Sequence, residues 1–310
     1  MQFKALADSG LGVSGDDIAS VFEPFVERHT GNDDPQWRQE VSTRRRKILR
    51  KFLRRMALGW MPDYQRGKDN IQDEYEEVWQ AGHERYSEAA KQARYSLWEW
   101  RGENMFASNV GATRVRQLLL CRAIEQVKPK RVLEVGCGDG INLILLQSRF
   151  PEIEFTGVDL TETGPAAARA MQEKPEIDPA LQQYAPLPVR DPTAFRKIRF
   201  MQGDATDLPF DDGEFDLVIT VLALEQMERV RHAALAQITR VSNGHVLMLE
   251  PFREVNNTGW PLLNVLRRNY FRGRIADLKR YGLEQVLALN DYPQEEFLKT
   301  CMVLARKKGA

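Results

Sequence analysis

Val132-Leu133-Glu134-Val135-Gly136-Cys137-Gly138-Asp139-Gly140 is the stretch that decides how this chain folds. An apolar run enters a glycine-rich turn, and the helix-forming INLILLQSRF follows. Glycine admits positive φ and lets a ligand approach the backbone with no Cβ in the way. In open α/β sheets, ligands bind at the carboxyl ends of strands, where this turn falls. The spacing is E-x-G-x-G-x-G. Counted from Gly136, the sixth position is Ile141, so the dinucleotide fingerprint G-x-G-x-x-G fails. No GK[ST] closes the turn, which excludes a P-loop. A nucleoside-like ligand without a pyrophosphate remains.

Outward from this turn the pattern is regular. A helix, ATRVRQLLLCRAIEQV, ends at Lys128–Pro129. Short apolar runs then alternate with helical stretches: RVLEVG (131–136), EFTGVDL (154–160), IRFMQGDA (198–205), FDLVITVL (215–222), HVLMLEP (245–251) and KTCMVLARK (299–307). Strands separated by helices predict βαβ units and a mostly parallel sheet. Continuous rather than alternating apolar character predicts strands covered on both faces. The reading is an α/β fold, doubly wound and Rossmann-like, over 111–310, with 1–110 as a helical extension or cap. Two more strand ends carry polar groups. Asp159, 23 residues after Gly136, can accept from both hydroxyls of a ribose, and Asp204 can accept from an exocyclic amine while the adjacent backbone donates.

VLEVGCGDG (132–140), FTGVDL (155–160), GDATDLPFDDGEFDLVI (203–219) and HVLMLEP (245–251) together resemble the class I S-adenosylmethionine-dependent methyltransferases, most of all the small-molecule and quinone group. The resemblance implies a seven-stranded sheet, S-adenosyl-L-methionine as cofactor and S-adenosyl-L-homocysteine as product. It implies that Gly136, Cys137, Gly138 and Gly140 line the methionine part and that Glu134 orients its amino group. Asp159 would hold the ribose, Leu160 would flank the adenine, and Asp204 and Ala205 would read its edge. Cys137 carries no nucleophilic role, being a small residue in a tight turn.

The acceptor is less legible. Methyl transfer is an in-line displacement at an activated carbon, so the protein chiefly positions the nucleophile and excludes water. No catalytic residue is obligatory. Glu225, after the fourth strand, is the one weak candidate for a base, with a helix start as its other reading. His29, His83, His232 and His245 read as structural or solvated. The resemblance offers no [DNS]PP[YFW] signature, no Pro-Cys pair and no arginine-methylating glutamate loop. The expected acceptor is a small molecule with an O, N or C nucleophile, placed between the cap, the sheet edge and the segment after Phe252. Trp98, Trp100, Arg101 and Phe106 read either as a lid or as packing for the cap. The Pro-rich stretch 174–193 reads as another insertion, in its plainest reading only a surface loop. A cofactor-binding scaffold without turnover is the rival from another class.

Charge is unevenly spread. Residues 1–43 hold eight acidic and three basic side chains, whereas 44–55, RRRKILRKFLRR, hold eight basic and no acidic ones. Ile48, Leu49, Phe52, Leu53 and Met56 recur at helical spacing, so 44–58 reads as a basic amphipathic helix. Three partners suit it: an anionic membrane surface, the phosphates of an RNA (or a protein substrate docked for methylation), or the acidic residues of 1–43 and 73–77. A second basic cluster runs from Arg267 to Arg280 and could hold an anionic acceptor. Residues 71–100 read as helix.

Composition sets the remaining bounds. The 310 residues carry 44 basic and 44 acidic side chains, which argues against a globally basic nucleic-acid binder. Cys121, Cys137 and Cys301 are odd in number and widely spaced, so neither a disulfide scaffold nor a zinc site is expected. No apolar stretch near 18 residues and no signal-like N-terminus is present, so a cytoplasmic protein is expected. A homo-oligomer is compatible with all of this.

Overall fold

The computed structural model describes residues 3–58, 68–80 and 95–309. Helix α1 (Gly15–Phe22) opens with a capping box in which Ser14 and Asp17 satisfy each other's backbone N–H groups. Strand β1 (Val26–Thr30) and the long helix α2 (Pro35–Leu58) follow, the latter started by Asp34, whose carboxylate accepts from the Trp37 N–H at 2.8 Å. Helix α3 (Lys68–Gln80) precedes the hairpin β2 (Tyr95–Trp100) and β3 (Glu103–Ser108), and helix α4 (Asn109–Val127) leads to the sheet that carries the glycine turn.

That sheet has seven strands in the order β6-β5-β4-β7-β8-β11-β9. They are β4 (Arg131–Val135), β5 (Glu154–Asp159), β6 (Arg199–Gln202), β7 (Phe215–Val221), β8 (Ser242–Glu250), β9 (Leu283–Leu289) and β11 (Cys301–Lys307). β6, β5, β4, β7 and β8 run parallel, and β11 is antiparallel to both β8 and β9. The α/β, doubly wound reading therefore holds. The strand order reverses between β4 and β7, which opens a crevice at their carboxyl ends. Helices α5 (Ile141–Arg149), α6 (Thr163–Gln172) and α8 (Arg231–Val241) are the crossovers, and α7 (Pro179–Gln182) is a short turn between α6 and β6. One core cluster includes Leu119, Ile124, Leu143 and Phe155, and a second includes Leu133, Val218, Ile238 and Met248.

Six of the strands fall on the apolar runs read from sequence. β9 does not, because it is an edge strand whose Glu284 and Val286 face outward, breaking the run. The helical reading of 71–100 is corrected at its end. α3 closes at Gln80, 81–94 (with His83) lie outside the described residues, and Tyr95–Trp100 is strand. The reason is local. Arg101 and Gly102 both have positive φ and join Trp100 to its partner Glu103, the two-residue hairpin turn that matches strand twist.

The extension is accordingly not all helical. β1, β3 and β2 form an antiparallel sheet completed by β10 (Gln294–Glu295), contributed from near the other end of the chain. Trp98 and Phe106 are buried, in edge contact with Phe22 and Trp37 respectively, and the Trp100 Nε1–H donates to Asp291. These aromatics pack the extension. They do not line the crevice. The Pro-rich 174–193 is also more than a surface loop. It buries Ile177, Leu181 and Tyr184, and Arg114 donates to the carbonyls of Gln183 and Ala185.

Leu119 lies in the centre of α4 and is fully buried. Leu119→Ala is expected to cost about 2–5 kcal/mol, read as a lower urea midpoint at unchanged slope.

Candidate functional site

The carboxyl ends of β4, β5, β6 and β7 enclose a cavity of about 380 Å³. Its wall contains Gly136, Cys137, Gly138, Asp159, Leu160, Asp204, Ala205 and Glu225, all singled out from sequence. Glu134 and Gly140 stand outside that lining, and their roles are indirect.

The turn after β4 is built on three glycines at φ +79°, +52° and +76°. A Cβ on Gly136 would meet the Ala223 Cβ at 2.4 Å, and one on Gly138 would meet the Trp79 ring at the same distance. Gly140 serves packing instead, since its Cβ would strike the buried Phe200 ring. The Gly136 and Cys137 N–H groups donate to the Val158 carbonyl, and the Gly138 N–H donates to Asp159 Oδ2 at 2.8 Å. Asp159 Oδ1 accepts from both the Thr161 N–H and its hydroxyl. A carboxylate has about four acceptor positions. Three are used, so Asp159 can take one further donor, at Oδ2.

Glu134 sits beneath the turn with no exposed surface. Its Oε1 accepts from Asn142 Nδ2 at 2.7 Å, and the Asn142 Oδ1 accepts from the buried Gln117 at 2.7 Å. Oε2 has no partner. Burial pushes this carboxyl up to about 8, the Asn142 hydrogen bond opposing and the charges of Asp159 and Asp139 adding to the rise. Asn142 escaped sequence reasoning, since a polar residue in the first turn of a helix has many roles.

Glu250 ends β8 and is fully buried. Its carboxylate accepts from the N–H groups of Ala223, Leu224 and Glu225, capping the single 3₁₀ turn after β7. Burial pushes it up to about 8, with Glu225 adding and the backbone donors opposing. Glu225 does stand in the first turn of that short helix, as its helix-start reading expects, while the cap is supplied by Glu250. Glu225 itself lies in the cavity wall, with Oε1 accepting from Gln226 Nε2 at 2.7 Å.

The mouth is covered by α3. Gln72, Tyr75 and Trp79 line the cavity, and Glu76 accepts from the N–H groups of Glu162 and Thr163 at the start of α6. The tryptophan that matters is thus Trp79, and nothing in its sequence setting distinguished it from the other four of the extension. Asn269, in the left-handed region just after helix α9 (Gly259–Arg268), reaches the wall from the segment beyond Phe252.

The remaining candidates lie elsewhere. His29 contacts Glu23 and Glu103, His232 pairs with the Tyr281 hydroxyl, and His245 is held below its ordinary pKa by burial and Arg306. Cys137 is buried and its thiol is pushed well up by burial, so it stays protonated and inert. The basic cluster 267–280 does not converge. Arg272 pairs with Glu228, Arg280 with Asp277, and Arg268 with the Tyr270 hydroxyl. Among the described residues, no group of three or more His, Cys, Asp or Glu could hold a metal ion.

The electrostatics favour a cationic ligand. Asp139, Asp159, Asp204, Glu225 and Glu228 line the cavity against the cation Arg229, with Glu134 just below. A neutral Glu134 with an unpartnered oxygen is a ready acceptor for an ammonium group, which would hold it ionised.

Residues 133–248 match the protein family described as a methyltransferase domain. Over 112 residues the chain is 31% identical to the phthiotriol/phenolphthiotriol dimycocerosates methyltransferase of Mycobacterium tuberculosis, a match covering 36% of this chain and 33% of that protein. Over 149 residues it is 30% identical to the demethylmenaquinone methyltransferase of Porphyromonas gingivalis, covering 47% and 54%. The chain thus spans about a third to a half of the curated relatives it matches. Its fold is similar to that of the magnesium protoporphyrin IX methyltransferase of Synechocystis, solved with bound SAH (TM-score 0.51, 12% identity, 78% and 100% coverage).

The Glu134 carboxyl gives a stability signature. Its folded pKa, about 8, lies above the unfolded value near 4.5. The stability it contributes is therefore complete below about pH 4.5 and lost as pH rises through 8, at up to about 1.4 kcal/mol per pH unit. Glu134→Gln removes that slope. Urea titrations at pH 5 and pH 8 are expected to show the variant gaining on the parent at the higher pH.

Proposed function

We propose that this chain, which carries a class I S-adenosylmethionine-dependent methyltransferase domain over residues 133–248, transfers a methyl group to a small-molecule acceptor. The observation that carries the reading is the convergence of three strand ends, Gly136–Gly138, Asp159–Leu160 and Asp204–Ala205, on one acidic cavity above a buried carboxyl with one unpartnered oxygen. Bound there, the cofactor supplies a methyl group already activated on a sulfonium.

The chain's own residues then divide the work of holding and orienting. Glu134, steadied by Asn142, orients the ammonium of the methionine part from beneath the turn. Gly136 and Gly138 let that part lie on bare backbone. Asp159 Oδ2 takes one ribose hydroxyl, Leu160 covers one face of the adenine, and Asp204 with the Ala205 N–H reads its edge. Trp79 and Tyr75 close the mouth and exclude water, which strengthens each of these contacts.

The acceptor half of the cavity runs past Leu222, Glu225, Met227, Val230 and Asn269. Apolar side chains beside Glu225, with Glu228 and Arg229 also in the wall, suit an acceptor with a ring or chain and one ionisable nucleophile. Glu225, in the cavity wall, would receive the proton that an acceptor hydroxyl or amine gives up. Leu222 is held at φ +53°, a left-handed conformation costly for a leucine, where β7 meets the cavity.

The test is label transfer from methyl-labelled S-adenosylmethionine into a cell extract, followed by fractionation. Label in solvent-extractable or soluble small molecules supports the reading. Label in RNA or protein overturns the acceptor class, and binding without transfer from any extract favours a scaffold. With the acceptor in hand, Asp159→Ala is expected to weaken S-adenosylhomocysteine binding by an order of magnitude or more on calorimetry. Glu225→Gln is expected to leave that affinity unchanged and to lower turnover by about 10²-fold or more.

A further inference from the structure

The ion pairs formed at the start of the basic helix leave four of its cations, Arg46, Lys47, Arg50 and Lys51, unused among the described residues. Arg44 and Arg45 pair with Glu295 and Glu296, not with the acidic residues of 1–43 or 73–77. The acids near α1 and β1 have other partners, Asp34 with Arg28 and Asp33 with Arg38. Arg46, Lys47, Arg50 and Lys51 are exposed and form no ion pair among the described residues.

The helix also has two apolar faces. Trp37, Val41 and Ile48 are buried against Trp260 and Leu263 of α9. Leu49, Leu53 and Met56 form a separate stripe at i, i+4 and i+7, exposed by 41%, 56% and 70%. A stripe of large apolar side chains flanked by unpaired cations is the pattern of a helix lying in a lipid interface. Between α2 and α9 lies a shallow cleft in which Arg38, Arg45 and Arg46 surround Trp37 and Trp260, with Arg45 over the Trp260 ring at 5.5 Å. α9 then runs about 15 Å from Trp260 to Asn269, which lines the methyltransferase cavity.

We infer that the exposed face of α2 docks on an anionic phospholipid bilayer, with Leu49, Leu53 and Met56 inserted among the acyl chains and Lys47, Arg50 and Lys51 against the headgroups. The choice of a bilayer over a nucleic acid rests on the stripe. Phosphates account for the cations, but a polyanion in water offers nothing to bury three adjacent apolar side chains. No helix among the described residues is long and apolar enough to cross a membrane, so the contact is peripheral. Docking would bring the end of α9 and the cavity close to the bilayer, a position suited to an acceptor that partitions into lipid.

Co-sedimentation of the full chain with vesicles tests this independently of methyl transfer. Binding to vesicles of phosphatidylglycerol and phosphatidylcholine is expected, with little to pure phosphatidylcholine, and it weakens as salt rises. Replacing Lys47 and Arg50 with Gln is expected to weaken it about tenfold to thirtyfold. Replacing Leu53 and Met56 with Asp is expected to weaken it at least about tenfold. All four side chains are exposed, and an unchanged unfolding midpoint confirms that the variants fold. Equal binding to neutral vesicles, or full binding by the Leu53→Asp, Met56→Asp variant, overturns the inference. So does tighter binding of a duplex RNA than of the anionic vesicles.

Discussion

The hydrogen bond from the Gly138 N–H to Asp159 Oδ2, 2.8 Å long, joins two neighbouring strand ends across the crevice. On one side it holds a turn whose three glycines sit at positive φ. On the other it fixes a carboxylate that Thr161 already braces with two donors. Because both partners are backbone-anchored, their relative position follows from the pairing of β4 with β5. The cavity floor is therefore as rigid as the sheet. A ligand meets a surface that needs little further ordering, which spares it part of the entropic cost of binding.

The opposite wall obeys the same logic with a different device. The 3₁₀ turn after β7 has N–H groups with no partner of their own, and Glu250 of the adjacent strand accepts from three of them. That cap sets the direction of Glu225 and ties the acceptor half of the cavity to β8. Two buried carboxyls, Glu134 and Glu250, thus support the floor and the wall, each from below the surface that a ligand touches. Both are pushed to about 8 by burial. Each of the two ionises most readily when a cation or a set of N–H donors is present.

Above this floor, α3 is placed by one carboxylate on a helix start. Glu76 accepts from the first N–H groups around α6, which brings Trp79 over Gly138. The same turn is thus read twice, from below by the sheet and from above by an aromatic ring. The long helix α2 packs on α9, and Asn269 just after α9 lines the cavity. Such an arrangement separates the part of the chain that meets a surface from the part that excludes water.

What the sequence by itself determined is the sheet domain and the strand ends that meet at its cavity. Continuous apolar runs bounded by Gly and Asp are local signals, and each strand end carries its polar group within a few residues of the run. Glu134, Gly136, Gly138, Asp159 and Asp204 could therefore be placed without coordinates. Only the tertiary structure decided the rest, because the rest depends on contacts between distant segments. Tyr95–Trp100 is a strand because a positive-φ turn folds it onto Glu103–Ser108 and because Gln294–Glu295, far along the chain, completes its sheet. Trp79 lines the cavity and Trp98 the core, although both are tryptophans in one extension, since partners hundreds of atoms apart in sequence decide which face of each is buried. Even the basic helix was legible as such, while the fact that its arginines pair with Glu295 and Glu296 and leave a second apolar stripe in water required the folded chain.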